Sequence, residues 1–104
     1  VTDVLHPVAG IDDVVHQRAR LGILAILTEV AEADVSALKA ELGLTDGNLG
    51  RHLQVLADAG FVTLDRAIVG TRARTRVRAT KAGRKAFRDE VKALRALLDR
   101  ISVR

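Results

Sequence analysis

Apolar residues along this chain change their spacing several times, and each spacing predicts an element. Over residues 14–32 the set Val14, Val15, Leu21, Ile23, Leu24, Ile26, Leu27 and Val30 is wider than one helical stripe. It predicts a helix covered on more than one side, opened by Asp12 or Asp13 as N-cap. A short second helix over residues 36–42 follows, capped by Asp34 or Ser36 and ended by Gly43. Leu44 plugs the turn, and Thr45 opens a third helix over residues 45–58. There Leu49, Leu53 and Leu56 fall at i, i+4 and i+7 and form one buried face. After Ala59-Gly60 the period changes. Residues 61–66 are β-prone, and residues 74–79 alternate with period two, turning Val77 and Ala79 toward the core. Between them, residues 67–73 contain Gly70 and predict a hairpin loop. Thr80 caps a last helix over residues 81–101. Its Phe87, Val91, Leu94, Leu98 and Ile101 are spaced 4, 3, 4, 3, a two-heptad seam. Residues 1–11, with His6-Pro7 and Gly10, keep no period and are expected to form an irregular arm.

The resulting order is helix, helix, helix, strand, wing, strand, helix: a mainly α domain with a small β-hairpin, spanning residues 1–104. Two helices joined by a tight glycine-containing turn form a helix-turn-helix, whose second helix enters the DNA major groove. Strands flanking an arginine-rich loop add a basic wing, so the fold class implied is a winged helix-turn-helix. The apolar seam of the last helix packs within its own domain or against a second copy. The dimer reading is the one carried forward, with Leu21 and Leu24 of the wide first helix joining Phe87, Val91, Leu94, Leu98 and Ile101.

A 104-residue chain with 48% hydrophobic and 29% charged residues is one globular domain, able to bury a core without cross-links. The absence of Cys excludes disulfides and thiolate metal sites. No apolar run is long enough to span a membrane, and the first residues lack the pattern of a signal peptide, so a cytoplasmic location is expected. Net charge is +4, but its distribution is more informative. Residues 1–65 carry 4 Lys+Arg against 10 Asp+Glu, and residues 66–104 carry 13 against 3. One basic surface is implied, and a polyanion is its natural partner. A solvated face on the last helix accounts for part of that excess, though not for four arginines bunched in and after one loop.

The candidate contacts with double-stranded DNA lie on the third helix and the wing. Backbone N–H groups around Thr45, Asp46 and Gly47 at the helix start suit a phosphate. Thr45 can cap with its hydroxyl. Asp46 favours the helix dipole there, a simpler role than accepting a hydrogen bond from a cytosine. Gly50 costs roughly 0.8–1.0 kcal/mol relative to Ala inside a helix. Its place on the polar face suggests close backbone approach to DNA. Arg51 and Gln54 share that face and match guanine and adenine edges respectively. Asn48 and His52 lie toward one flank, where His52 reads best as a solvated or core-edge histidine. In the wing, over residues 67–76, Arg72 and Arg74 are expected on the phosphate backbone or in a narrow minor groove. Arg76 and Arg78 continue on the same strand face, with DNA and the acidic N-terminal half as equally matched partners.

Catalytic signals are absent. His6, His16 and His52 lack metal-ligand spacing, Ser36 and Ser102 sit near no nucleophile motif, and no glycine-rich phosphate loop occurs. No metal, cofactor or enzymatic activity is expected, and nothing identifies a small-molecule effector.

Residues 43–53, Gly-Leu-Thr-Asp-Gly-Asn-Leu-Gly-Arg-His-Leu, resemble small single-domain winged-helix regulators of the bacterial MarR/ArsR type. So do the helix-to-strand junction Leu56-Ala57-Asp58-Ala59-Gly60-Phe61-Val62 and the wing-to-helix junction around Thr75 to Arg84. The resemblance implies a homodimer on a palindromic operator, usually a repressor, with dimer contacts from the first and last helices. ArsR-type metal sensing does not carry over, because its Cys/His clusters are missing. Nor does the ligand control of larger MarR-type proteins, since Phe61 and Phe87 are the only aromatics of this shorter chain. A winged helix that meets an acidic protein, or one that binds DNA without sequence preference, are the competing expectations.

Overall fold

The computed structural model describes residues 6–102. After a 3-10 turn, Pro7–Gly10, come α1 (Arg18–Glu29), β1 (Ala33–Asp34), α2 (Val35–Leu42) and α3 (Asp46–Asp58). The hairpin strands β2 (Val62–Val69) and β3 (Arg72–Ala79) precede α4 (Lys81–Ser102). The fold is the winged helix-turn-helix expected, with one strand more. The first five residues of the expected arm lie outside the described residues; Pro7–Gly10 is regular after all.

The leucine spacing of α3 does what it predicts: Leu49, Leu53 and Leu56 are buried. They meet Ile23, Leu24 and Leu27 of α1, Leu38 of α2, and Val62, Val77 and Ala79 of the sheet in one core. Each fully buried leucine contributes roughly 1.5–3 kcal/mol relative to an exposed one. Leu24 is completely buried in this cluster, so it has no surface to offer a second subunit, contrary to the expectation. The reason is that Ile23, Leu24 and Leu27 form one inward stripe on α1. Leu21 and Phe87 are half-buried and pack on the edge of the same core.

The first helix is shorter than residues 14–32. Asp12 Oδ1 accepts from the N–H groups of Val14 and Val15 (2.7 and 3.1 Å), closing a separate turn. Gln17 is extended, and its Oε1 accepts from Ala19 and Arg20 (2.8 and 3.1 Å), so it caps α1. At the other end Val30 is extended and leads into β1.

The sheet is antiparallel in the order β1-β3-β2. Val62 faces Ala79, Leu64 faces Val77, and the ladder continues to Val69 opposite Arg72. The expected loop over residues 67–73 is therefore strand almost throughout, reduced to a two-residue turn at Gly70-Thr71. Gly70 has φ +67° and Thr71 stays at negative φ, as in a type II′ hairpin turn.

At the base of the hairpin, α4 crosses the chain leaving α3. Thr80 donates from its N–H to the Phe61 carbonyl (2.9 Å) and from its hydroxyl to the Gly60 carbonyl (2.6 Å). The same hydroxyl accepts from Gly83 N–H (2.9 Å), which makes Thr80 the N-cap of α4. Further along, Glu90 is fully buried. Its Oε1 accepts from Asp12 N–H (2.9 Å), and its Oε2 lies 2.7 Å from His16 Nδ1, pinning the N-terminal segment to α4.

Candidate nucleic-acid interface

The face of α3 opposite the leucines is bare. Asp46, Gly47, Asn48, Gly50, Arg51 and Gln54 are all exposed. A Cβ built on Gly47 or Gly50 meets nothing within 4 Å, so no packing demand explains either glycine. At the helix start the Thr45 hydroxyl accepts from Asn48 N–H (3.2 Å). The N–H groups of Asp46 and Gly47, in the first turn, have no partner within the helix and point along its axis outward.

Asp46 is tied down: its carboxylate lies 3.1 Å from Lys39 Nζ, linking α2 to α3 across the turn. The Asp46 side chain is otherwise exposed. Lys39 did not stand out in the sequence, although opposite charges flanking a tight turn were there to be seen. Arg51 is held loosely, its Nη2 3.4 Å from Asn48 Oδ1. Gln54 donates from Nε2 to Asp58 Oδ1 (2.8 Å), which leaves its amide oxygen free and fixes which edge it presents. His52 is half-buried, and its Nδ1 lies 3.2 Å from Arg20 Nη1. Burial, reinforced by the positive charges of Arg20 and Arg51, pushes its pKa below the usual histidine value. It is thus a neutral, core-edge imidazole at neutral pH.

The wing projects beside this face. Arg72, Arg74, Arg76 and Arg78 share one side of β3 and are exposed. Arg72 has no carboxylate at ion-pair distance among the described residues. Arg74 does: its Nη2 lies 2.6 Å from Asp34 Oδ2, a partner the sequence reading did not assign. Arg76 and Arg78 reach Glu32 at 3.1 and 3.2 Å. A cleft of about 560 Å³ separates the α2 start and Asp46 from the wing residues Arg72 and Arg74.

The proposed subunit contacts are spread unevenly. Val91 and Leu94 are half-buried, whereas Leu98 and Ile101 are 61% and 63% exposed on the last turns of α4. No cluster of His, Asp and Glu that could hold a metal ion occurs among the described residues, and none of their helices is long and apolar enough to cross a membrane.

Known proteins similar to this chain include transcriptional regulators. The family model described as winged helix DNA-binding domain matches residues 19–98. Protein MJ0432 of Methanocaldococcus jannaschii is 38% identical over 72 residues, 69% of this chain and 78% of that protein. The structure of a transcriptional regulator homologue from Pyrococcus horikoshii OT3 superposes with a TM-score of 0.86 at 28% identity, covering 95% of this chain and all of that one. A MarR-family transcriptional regulator from Silicibacter pomeroyi gives a TM-score of 0.65 at 26% identity, over 88% of this chain and 62% of that longer one.

Proposed function

The chain belongs to the winged-helix DNA-binding domain family, and on that premise we propose that it is a homodimeric, sequence-specific transcriptional repressor. Its family and fold are those of DNA-binding transcriptional regulators. In the proposed complex α3 lies in the major groove, with Arg51 and Gln54 on base edges and the wing on the phosphate backbone or in the adjoining minor groove. The observation that carries this reading is the open space over Gly47 and Gly50 beside Arg51 and Gln54. A helix face with two bare backbone positions next to two base-matching side chains suits a groove, where backbone approach sets how far those side chains reach.

The exposed Leu98 and Ile101, in phase with Val91 and Leu94, support a second copy of this chain on α4. A two-fold dimer would place its half-sites about 34–36 Å apart on a palindromic operator. The resemblance to small MarR/ArsR-type proteins supports repression as the outcome, in the compartment that holds the chromosome.

The test is fluorescence anisotropy of the protein against a selected pool of duplexes over a salt series. An enriched palindrome bound far more tightly than random duplex is the expected result. Sequence-blind binding would leave an architectural DNA binder, and no duplex binding would overturn the proposal.

A further inference from the structure

The wing arginines are not equivalent. Arg74 Nη2 lies 2.6 Å from Asp34 Oδ2, and Arg76 Nε lies 3.6 Å from Asp34 Oδ1. Arg76 Nη1 lies 3.1 Å from Glu32 Oε1, and Arg78 Nε lies 3.2 Å from Glu32 Oε2. Arginine and carboxylate thus alternate in a continuous ladder across one face of the sheet. The pairing of β1 with β3 sets it up by placing Asp34 opposite Arg76. Asp34 is also the N-cap residue of α2, yet its side chain makes no capping bond. Its carboxylate is committed to the wing instead.

We propose that Glu32 and Asp34 are specificity-determining positioning residues, which hold Arg74, Arg76 and Arg78 to the protein and leave Arg72 as the wing's phosphate contact. The inference rests on the DNA-binding reading above. Isolated surface ion pairs stabilise little, but charges joined in a network with good geometry hold one another in place. The five groups together present a net charge of +1, where three unpaired arginines would present +3. Attraction to any phosphate backbone is correspondingly weaker, and that attraction supplies essentially all sequence-independent binding. The ladder also splints the wing to the start of the helix-turn-helix. An operator complex gains from a wing already in position, whereas a random complex depends on charge alone.

The test compares wild type, Glu32→Gln/Asp34→Asn, and the control Glu29→Gln/Glu41→Gln, which removes two exposed carboxylates outside the ladder. Asp34→Asn alone keeps a residue suited to the N-cap, so the ladder can be weakened without losing α2. Each is titrated with a random-sequence duplex and with the enriched site across a salt series, after its melting curve has been checked. With the ladder opened, the salt slope on random duplex should steepen by about 1–2, as one or two more phosphates are engaged. Random-duplex affinity should rise roughly tenfold near 0.1 M salt, and the ratio of specific to random affinity should fall. Asp34→Asn should give part of the effect. Slopes and ratios matching the control would overturn the inference while leaving DNA binding intact. Failure of the wild type to bind any duplex would overturn both.

Discussion

A Cβ on Gly83 would overlap the carbonyl oxygen of Phe61. The first turn of α4 lies directly on the chain leaving α3, and only a glycine lets the two backbones approach so closely. The obstructing atom is backbone, already accepting the Thr80 N–H, so it cannot swing aside as a side-chain tip would. Gly83→Ala should therefore destabilise the domain by about 2–3 kcal/mol despite alanine's better helix propensity. For a domain of this size that lowers the melting temperature by roughly 8–24 °C. Thermal unfolding followed by circular dichroism checks it, and an unchanged melting point would refute the packing argument.

Gly50→Ala should act in the opposite sense. Its Cβ enters open space, so the substitution should stabilise α3 by roughly 0.8–1.0 kcal/mol. If DNA approaches the helix backbone there, the added methyl should weaken duplex binding in the same protein. Melting and anisotropy on one sample read both effects. Gains in both stability and affinity would remove the reason offered for this glycine.

Glu90 joins α4 to residues 12–16, and the pairing is local enough to be tested by exchange. Glu90→Ala removes the buried acceptor of the Asp12 N–H and the partner of His16 Nδ1, two hydrogen bonds worth about 0.5–1.5 kcal/mol each. Faster amide exchange should be confined largely to the N-terminal segment and the facing turn of α4. Exchange raised equally throughout the core would mean that Glu90 supports the whole domain instead.

His52 gives the acid side of the stability profile a definite sign. Its pKa in the folded protein is lowered, first by burial and then by Arg20 and Arg51, so the unfolded chain takes up a proton more readily. The neutral imidazole therefore contributes stability that is present above the unfolded value of about 6.5 and is lost as pH falls through the folded value. His52→Gln should flatten this part of the profile. Denaturant midpoints measured between pH 5 and 8 test it, and an unchanged slope in the variant would contradict it.

What could be read from the sequence was the part with strong local period. The leucines of α3 and the Thr80 cap placed the third and fourth helices nearly at their observed limits. The apolar pattern predicts too long a first helix because Val14 and Val15 look helical, while Asp12 closes its own turn beneath them. β1 is two residues long and carries no period of its own, so the sequence shows Asp34 as the N-cap position it occupies but not as a strand residue too. The arginine ladder is legible only in part: the acidic N-terminal half is one of the two partners expected for Arg76 and Arg78, but the pair Arg74–Asp34 and the individual carboxylates, 40–46 residues away, meet only through β1. Glu90 looked like one more charge on an amphipathic helix, and Gly83 gave no sign of what would lie over it. On the candidate site, exposure of the α3 face followed from the leucine period, but the bonds of Gln54 to Asp58 and of Asp46 to Lys39 required three dimensions.

The central claim is that Arg51 reads a guanine in the major groove, and chemical editing of the DNA tests it most directly. Within the enriched site, guanines are replaced one at a time by 7-deazaguanine, which lacks the N7 acceptor while keeping Watson–Crick pairing. At the guanine facing Arg51, the wild type should lose binding by an amount approaching the 1–3 kcal/mol of a bidentate pair, about 5- to 150-fold. Arg51→Ala should bind the edited and unedited sites equally. Equal losses in wild type and Arg51→Ala at every guanine would contradict the assignment of α3 as the reading helix through this residue.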